Sequence, residues 1–84
     1  MSYSLSILRR AQKELAQVSQ EDQDRIAEAI RGLGANPRPH GCRKLTARDG
    51  WRIRVGDFRV IYAIDDREHR VTIFHIGNRR DVYR

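Results

Sequence analysis

The residue types and spacing that favour chemistry in this sequence are concentrated in residues 51–64, WRIRVGDFRVIYAI. Arg52 and Arg54 alternate with apolar residues before the Gly56-Asp57 pair, and Arg59 follows that pair. The period-2 pattern predicts two strands that each bury one face. Glycine at the first loop position predicts a two-residue type II′ turn, because glycine takes the required positive φ at low cost.

The predicted turn fixes which side chains lie opposite each other. If Val55 pairs with Phe58, then Arg54 faces Arg59, and Arg52 lies on the same side of the sheet. Like charges directly opposite each other destabilise a sheet, and a bound anion relieves that repulsion. We therefore interpret the three arginines as a phosphate-binding face, with a solvated basic strand as the alternative.

Other candidate residues lie before and after this hairpin. All are cationic or phenolic. Together with the three arginines of the hairpin, they give the set Lys44, Arg52, Arg54, Arg59, Arg79, Arg80, Tyr83 and Arg84. Forked guanidinium contacts suit phosphate recognition and the added charge of a pentavalent phosphoryl transition state. RNA cleavage also needs no metal when the adjacent 2′-hydroxyl is the nucleophile. The set indicates nucleic acid more strongly than it indicates catalysis.

Metal ions and nucleotide cofactors are not indicated. Cys42 and the three histidines, His40, His69 and His75, show no ligand spacing of the CxxC or HxxxH kind. Neither GxxxxGK nor GxGxxG occurs. We expect His75 to fill or border the sheet, the other two histidines to lie in loops, and the cysteine to act as a small buried hydrophobe.

Length and charge limit the class of protein. The 84 residues predict a single domain spanning 1–84. A net charge of +6 and a pI near 10.4 favour a partner that is nucleic acid, an acidic protein or a membrane surface. There is no apolar run long enough to span a bilayer and no signal-peptide pattern. One cysteine is consistent with a reducing compartment, so we expect the cytoplasm.

Hydrophobic periodicity predicts the elements that must position the arginines. Residues 3–7 alternate as a strand, and helical spacing follows from Leu8 to about Val18. Ser19 with Asp22 predicts the cap of a second helix, which the glycines at 32 and 34 are expected to end.

The remaining chain is predicted to be mainly β-structure. A loop covers 34–41, a brief extended piece covers 42–46, the central hairpin follows, and 71–77 form a further strand. The predicted fold class is α+β, with the order β-α-α-β-β-β. Because two amphipathic helices need an apolar surface to cover, we expect a helical hairpin packed on one face of a small, mostly antiparallel sheet.

Three blocks of the sequence together resemble the RelE-type toxins of the RelE/ParE toxin–antitoxin superfamily: KLT at 44–46, WRIRVGDFRVIYAI at 51–64 and GNRRDVYR at 77–84. The resemblance implies a fold similar to microbial ribonucleases and a cognate antitoxin as partner. It also implies ribosome-dependent, metal-independent cleavage of mRNA in the ribosomal A site through attack of the 2′-hydroxyl on the adjacent phosphate.

The resemblance also implies roles for single residues. Arg59 falls on the family's transition-state arginine, Arg79 on the arginine assigned to leaving-group protonation, and Tyr83 on the tyrosine that places or deprotonates the 2′-hydroxyl. Lys44 matches a further basic residue, and we expect it to contact RNA together with Arg80 and Arg84.

One departure from the family pattern concerns proton transfer. Arg52 and Arg54 fall where the best-studied pattern has two lysines. Arginine keeps its proton far better than lysine, so charge stabilisation survives the change but proton abstraction does not. The general base is therefore open: either Tyr83 or another group takes the proton, or cleavage is slow.

Two other functions are compatible with the sequence. A ParE-like toxin would share the fold and inhibit DNA gyrase without being an enzyme, because fold alone does not define function. A basic domain whose arginines only dock an acidic protein would have no toxicity.

Overall fold

The computed structural model describes residues 2–46 and 48–78. Its elements are β1 Ser4–Ile7, α1 Arg9–Ala16, α2 Gln20–Ala35, β2 Arg43–Lys44, β3 Trp51–Val55, β4 Phe58–Asp65 and β5 Arg70–Asn78. The strands form one sheet in the order β1-β5-β4-β3-β2, in which only the β1–β5 pair is parallel. The predicted α+β fold is confirmed, and the brief extended piece contains the two-residue strand β2.

The helix α1 is shorter than predicted at both ends, and α2 is longer than predicted at its C-terminal end. α1 ends at Ala16, and Leu8 is not part of its apolar stripe, because Leu8 precedes the helix and is 43% exposed. The predicted cap of α2 is confirmed, since the Asp22 amide donates to Ser19 Oγ at 3.3 Å. α2 continues past both glycines to Ala35. Gly34 allows close packing instead, because a Cβ there would lie 3.2 Å from the Tyr3 carbonyl oxygen.

The hydrophobic core lies between the helical hairpin and one face of the sheet. Its strand members come from β3, β4 and β5, and its helix members come from both helices; together they are Ala11, Ile26, Ile30, Leu33, Ile53, Val60, Tyr62, Val71, Ile73 and Ile76. Removing aliphatic side chains from water contributes roughly 1.5–3 kcal/mol each. Because neighbouring side chains of a strand point to opposite faces, the residues of β3 and β4 that alternate with the core members lie on the face of the sheet away from the helices.

The central hairpin has the predicted register. Val55 pairs with Phe58, and Arg54 lies directly opposite Arg59. Gly56 has φ +60°, and among the described residues other than glycine only His69 has positive φ. A positive φ at the first loop position alone is the pattern of a type II′ turn, as the sequence predicts.

A polar tether joins three separate segments at the other end of the sheet. Asp66, in the turn after β4, accepts hydrogen bonds from the Tyr3 hydroxyl at 2.7 Å and from Arg38 Nη2 at 2.8 Å. The Arg38 guanidinium, helped by the Tyr3 hydroxyl, lowers the pKa of the Asp66 carboxyl to about 2. The contact fixes the segment after α2 relative to β1 and β4.

Candidate functional site: an arginine-lined cavity on the open face of the sheet

Four arginines line one cavity of about 270 Å³ on the sheet face opposite the core: Arg43, Arg52, Arg54 and Arg59, together with Gly41 and Ile53. The strand register arranges them as two directly opposed pairs. Arg43 lies opposite Arg52, and Arg54 lies opposite Arg59. We call this set of four side chains the arginine cavity. Because each pair places like charges side by side, the cavity is a strong site of positive potential.

One of the four arginines is buried, and the other three are more exposed. Arg59, on the central strand of the sheet, is only 3% exposed. Arg52 is half-buried, whereas Arg43 and Arg54 are exposed. Electrostatic interactions strengthen as water is excluded, so an anion in the cavity would interact most strongly with the buried Arg59.

Arg43 is the member of the arginine cavity that the sequence-based prediction omits. The two-residue strand β2 is too short to show a period-2 pattern, so neither its register nor its exposed face was evident. The usable signal was the pair of adjacent basic residues, Arg43 and Lys44, in the extended piece that precedes the hairpin. The structure places Lys44, the predicted RNA-binding residue, opposite Trp51, whereas Arg43 faces Arg52. Since neighbouring strand residues point to opposite faces, Lys44 is not brought together with the arginines.

The loop that leads to Arg43 is anchored from the core. The Tyr62 hydroxyl, on β4, donates to the Pro37 carbonyl oxygen at 2.8 Å. Burial raises the pKa of Tyr62, so its hydroxyl keeps its proton and remains a donor. The Arg38 guanidinium in turn lies 5.2 Å from the Trp51 ring centroid, at the start of β3. Both contacts position the loop beside the cavity.

A second groove, of about 390 Å³, is lined by Leu8, Arg10, Arg48, Asp49 and Phe74. The Arg48 guanidinium carbon lies 6.0 Å from the Phe74 ring centroid. Phe74 is the extra residue where the β4–β5 register shifts, because Ile61 pairs with His75 and Tyr62 with Ile73. Apolar surface flanked by guanidinium groups is chemically suited to an unstacked nucleobase.

The remaining predicted site residues, Arg79, Arg80, Tyr83 and Arg84, lie outside the residues that the structure describes. Within residues 2–46 and 48–78, no group of three or more His, Cys, Asp or Glu side chains is placed to hold a metal ion. In the same segments, no helix is sufficiently long and apolar to cross a membrane. His40 and His69 lie in turns, and Cys42 packs against the core.

The fold and the arginine cavity define a small basic α+β domain suited to anion binding. Comparison with known proteins is more specific. The family model described as the ParE toxin of the type II toxin-antitoxin system, parDE, matches residues 5–83. Toxin RelE of Mycobacterium tuberculosis is 35% identical, over 98% of this chain and 87% of the relative.

Solved structures show the same fold. The archaeal RelE–RelB complex from Pyrococcus horikoshii OT3 superposes with a TM-score of 0.84 at 27% identity, covering 94% of this chain and 97% of that one. The toxin–antitoxin complex RelBE2 from Mycobacterium tuberculosis gives 0.83 at 21% identity, over 94% and 100% of the two chains. The chain belongs to the RelE/ParE superfamily, as a RelE-type toxin of a type II toxin–antitoxin system.

Proposed function

We propose that this toxin is a ribosome-dependent endonuclease that cuts mRNA in the A site, and that the arginine cavity holds the phosphate at which the chain breaks. The observation that carries the proposal is that two pairs of arginines lie opposite each other around one cavity, Arg43 opposite Arg52 and Arg54 opposite Arg59. A fold keeps such like-charge pairs at a cost in stability. A phosphodiester is an anion of suitable shape for forked guanidinium groups.

The chemistry assigned to the cavity is charge stabilisation. In the proposed reaction the 2′-oxygen forms a bond to the adjacent phosphorus, and the bond from that phosphorus to the next 5′-oxygen breaks. The transition state carries additional negative charge on the phosphoryl oxygens. The buried guanidinium of Arg59 is the group we assign to that charge, and Arg52 and Arg54 assist it from β3.

Residues 79–84 supply the remaining roles in the proposal. Arg79 protonates the departing 5′-oxygen, Tyr83 positions the 2′-hydroxyl, and Arg80 and Arg84 contact the RNA backbone. Lys44 contacts RNA at the outer edge of the sheet rather than in the cavity, because its register places it beside Trp51. The support for these roles is the family resemblance of residues 77–84.

A cognate antitoxin is the protein partner that we propose. Relatives of this fold have been solved as toxin–antitoxin complexes, including those from Pyrococcus horikoshii and Mycobacterium tuberculosis. A cavity lined by four arginines gives an antitoxin an obvious surface to shield with carboxylates, either from an amphipathic helix or from an added strand.

Adding the purified toxin to a translating extract and mapping the ends of the message tests the proposal. We expect new ends within the coding region for the wild type and few or none for Arg59→Ala. Arg31→Ala is the matched control, because Arg31 is an exposed arginine of α2 paired with Glu28. Intact message with the wild type, or equal cleavage by Arg59→Ala, would contradict the proposal.

The alternative function is inhibition of DNA gyrase. The observation that favours it is the match of residues 5–83 to a ParE toxin family model. A supercoiling assay with purified gyrase distinguishes the two functions. Inhibition of supercoiling together with intact mRNA would support the gyrase-directed function, whereas mRNA cleavage with unaffected gyrase would support the endonuclease.

A further inference from the structure

A carboxylate–imidazole pair connects α1 to β5 beside the arginine cavity. Glu14 Oε1 accepts a hydrogen bond from the Ile76 amide at 3.0 Å. Glu14 Oε2 lies 2.7 Å from His75 Nδ1 and 3.4 Å from Arg10 Nε. The His75 contact is within ion-pair distance, although the oxygen lies off the N–H direction expected of an aligned hydrogen bond. The carboxylate therefore lies against Nδ1 of the imidazole.

The strand register places His75 on the same face as the arginine cavity. His75 lies opposite Ile61, and the next same-face position along β5, Gly77, lies opposite Arg59. The imidazole is thus a diagonal neighbour of the buried arginine across two adjacent strands. Its side chain keeps 20% of its surface exposed, so the imidazole is held in place but accessible.

The chemistry of the pair complements that of the arginines. A carboxylate at Nδ1 favours the tautomer with the proton on Nδ1, which leaves the Nε2 lone pair as an acceptor. Arginine cannot provide such an acceptor. In the proposed reaction a proton must leave the 2′-hydroxyl, and none of the four arginines in the cavity is suited to accept it.

We propose that His75 is the general base of this toxin and that Glu14 is its positioning residue, an inference that rests on the proposed endonuclease function. His75 Nε2 takes the proton of the 2′-hydroxyl as the 2′-oxygen bonds to phosphorus. The phosphorus–5′-oxygen bond breaks, and the departing 5′-oxygen gains a proton from water and leaves as a hydroxyl. The products are a 2′,3′-cyclic phosphate and a 5′-hydroxyl end.

Charged groups lie on α1 and β4 beside His75. Glu14 contacts Nδ1 and is itself paired with Arg10, and Arg59 is the diagonal neighbour on β4.

Single-turnover cleavage of a ribosome-bound message, measured across the pH range in which imidazole titrates, tests the inference. For His75→Gln we expect a rate lower by about 100-fold or more and loss of the pH inflection seen with the wild type. For Glu14→Gln, which still offers an oxygen to the Ile76 amide, we expect a smaller loss of rate, because the base remains but loses the carboxylate that positions it. His69→Gln is the matched control in a turn and is expected to behave as the wild type.

Two further measurements separate a chemical role from a structural one. His75→Gln should keep its thermal unfolding temperature and its binding to a message whose reactive 2′-hydroxyl is replaced by hydrogen. Cleavage by His75→Gln with an unchanged rate and pH profile would overturn the inference and leave the endonuclease function intact. Parallel loss of folding or binding with the rate would also overturn it. A wild type that never cleaves message would contradict the endonuclease function itself.

Discussion

At the scale of single residues, the unusual feature of this protein is that two pairs of arginines face each other across neighbouring strands. Arg54 and Arg59 are one pair, and Arg43 and Arg52 are the other. In the unliganded protein, like charges opposed in this way lower stability. The arrangement therefore suggests that function, rather than folding, requires these residues.

Replacing Arg54 by threonine should raise the free energy of unfolding by about 0.2–1 kcal/mol, because it removes one charge of an opposed pair and introduces a residue that favours strands. The same change should reduce the activity of the toxin. Denaturant unfolding at low salt provides the measurement. Arg70→Thr is the matched control: Arg70 lies opposite Asp65 at the far end of the sheet, so no stabilisation is expected there. Lower stability of Arg54→Thr would contradict the interpretation.

At the scale of elements, the β3–β4 turn sets which side chains meet in the cavity. Gly56 has φ +60°, a conformation that residues with a Cβ adopt only with strain. Because a one-residue slip would move every arginine of β3 to the core face, the turn is as important for the site as the arginines themselves.

Replacing Gly56 and Gly32 by alanine should change the free energy of unfolding in opposite directions. Gly56→Ala should lower the free energy of unfolding by about 1–2 kcal/mol through left-handed strain. Gly32→Ala should raise it by about 0.5–1 kcal/mol, because Gly32 is exposed inside α2 and a Cβ there meets nothing within 4 Å. Thermal or urea unfolding of both variants is the measurement. Equal effects of the two substitutions would show that backbone conformation is not the cause.

The elements also show how much a sequence can reveal. The hairpin register was predictable because alternation and a glycine turn are local signals. The position of Arg43 was not, since a two-residue strand has no measurable period. The contact of Glu14 with the Ile76 amide joins residues 62 positions apart, and no local pattern encodes it. The register shift after Ile61, which leaves Phe74 unmatched, likewise arises from packing between strands.

At the scale of the whole molecule, the net charge of +6 predicts strong salt dependence of RNA binding. Removing a side chain that binds one phosphate of a single strand should reduce the slope of log affinity against log salt by about 0.7. Arg43→Gln should show that change, measured by fluorescence anisotropy with a 2′-O-methyl RNA that cannot be cleaved. Arg31→Gln should leave the slope unchanged. An unaltered slope for Arg43→Gln would exclude phosphate binding by that residue.

The free energy of unfolding should also depend on pH, because Asp66 forms the polar tether only as a carboxylate. The folded-state pKa of about 2 lies below the ordinary value of 3.8, so the carboxylate stabilises the fold above about pH 4. That contribution is lost as pH falls from about 4 toward 2. We expect the free energy of unfolding of the wild type to fall more steeply over this window than that of Asp66→Asn. Parallel curves would mean that the tether contributes nothing.

The most direct test of the central claim, that the arginine cavity holds an RNA phosphate as the chain breaks, is cleavage of a message fixed in the ribosomal A site. A matched message lacks only the 2′-hydroxyl at the cleaved nucleotide. We predict cleavage of the all-RNA message by the wild type, a rate at least about 100-fold lower for Arg59→Ala, and no cleavage of the 2′-deoxy message. Cleavage of both messages, or equal rates for the wild type and Arg59→Ala, would contradict the claim.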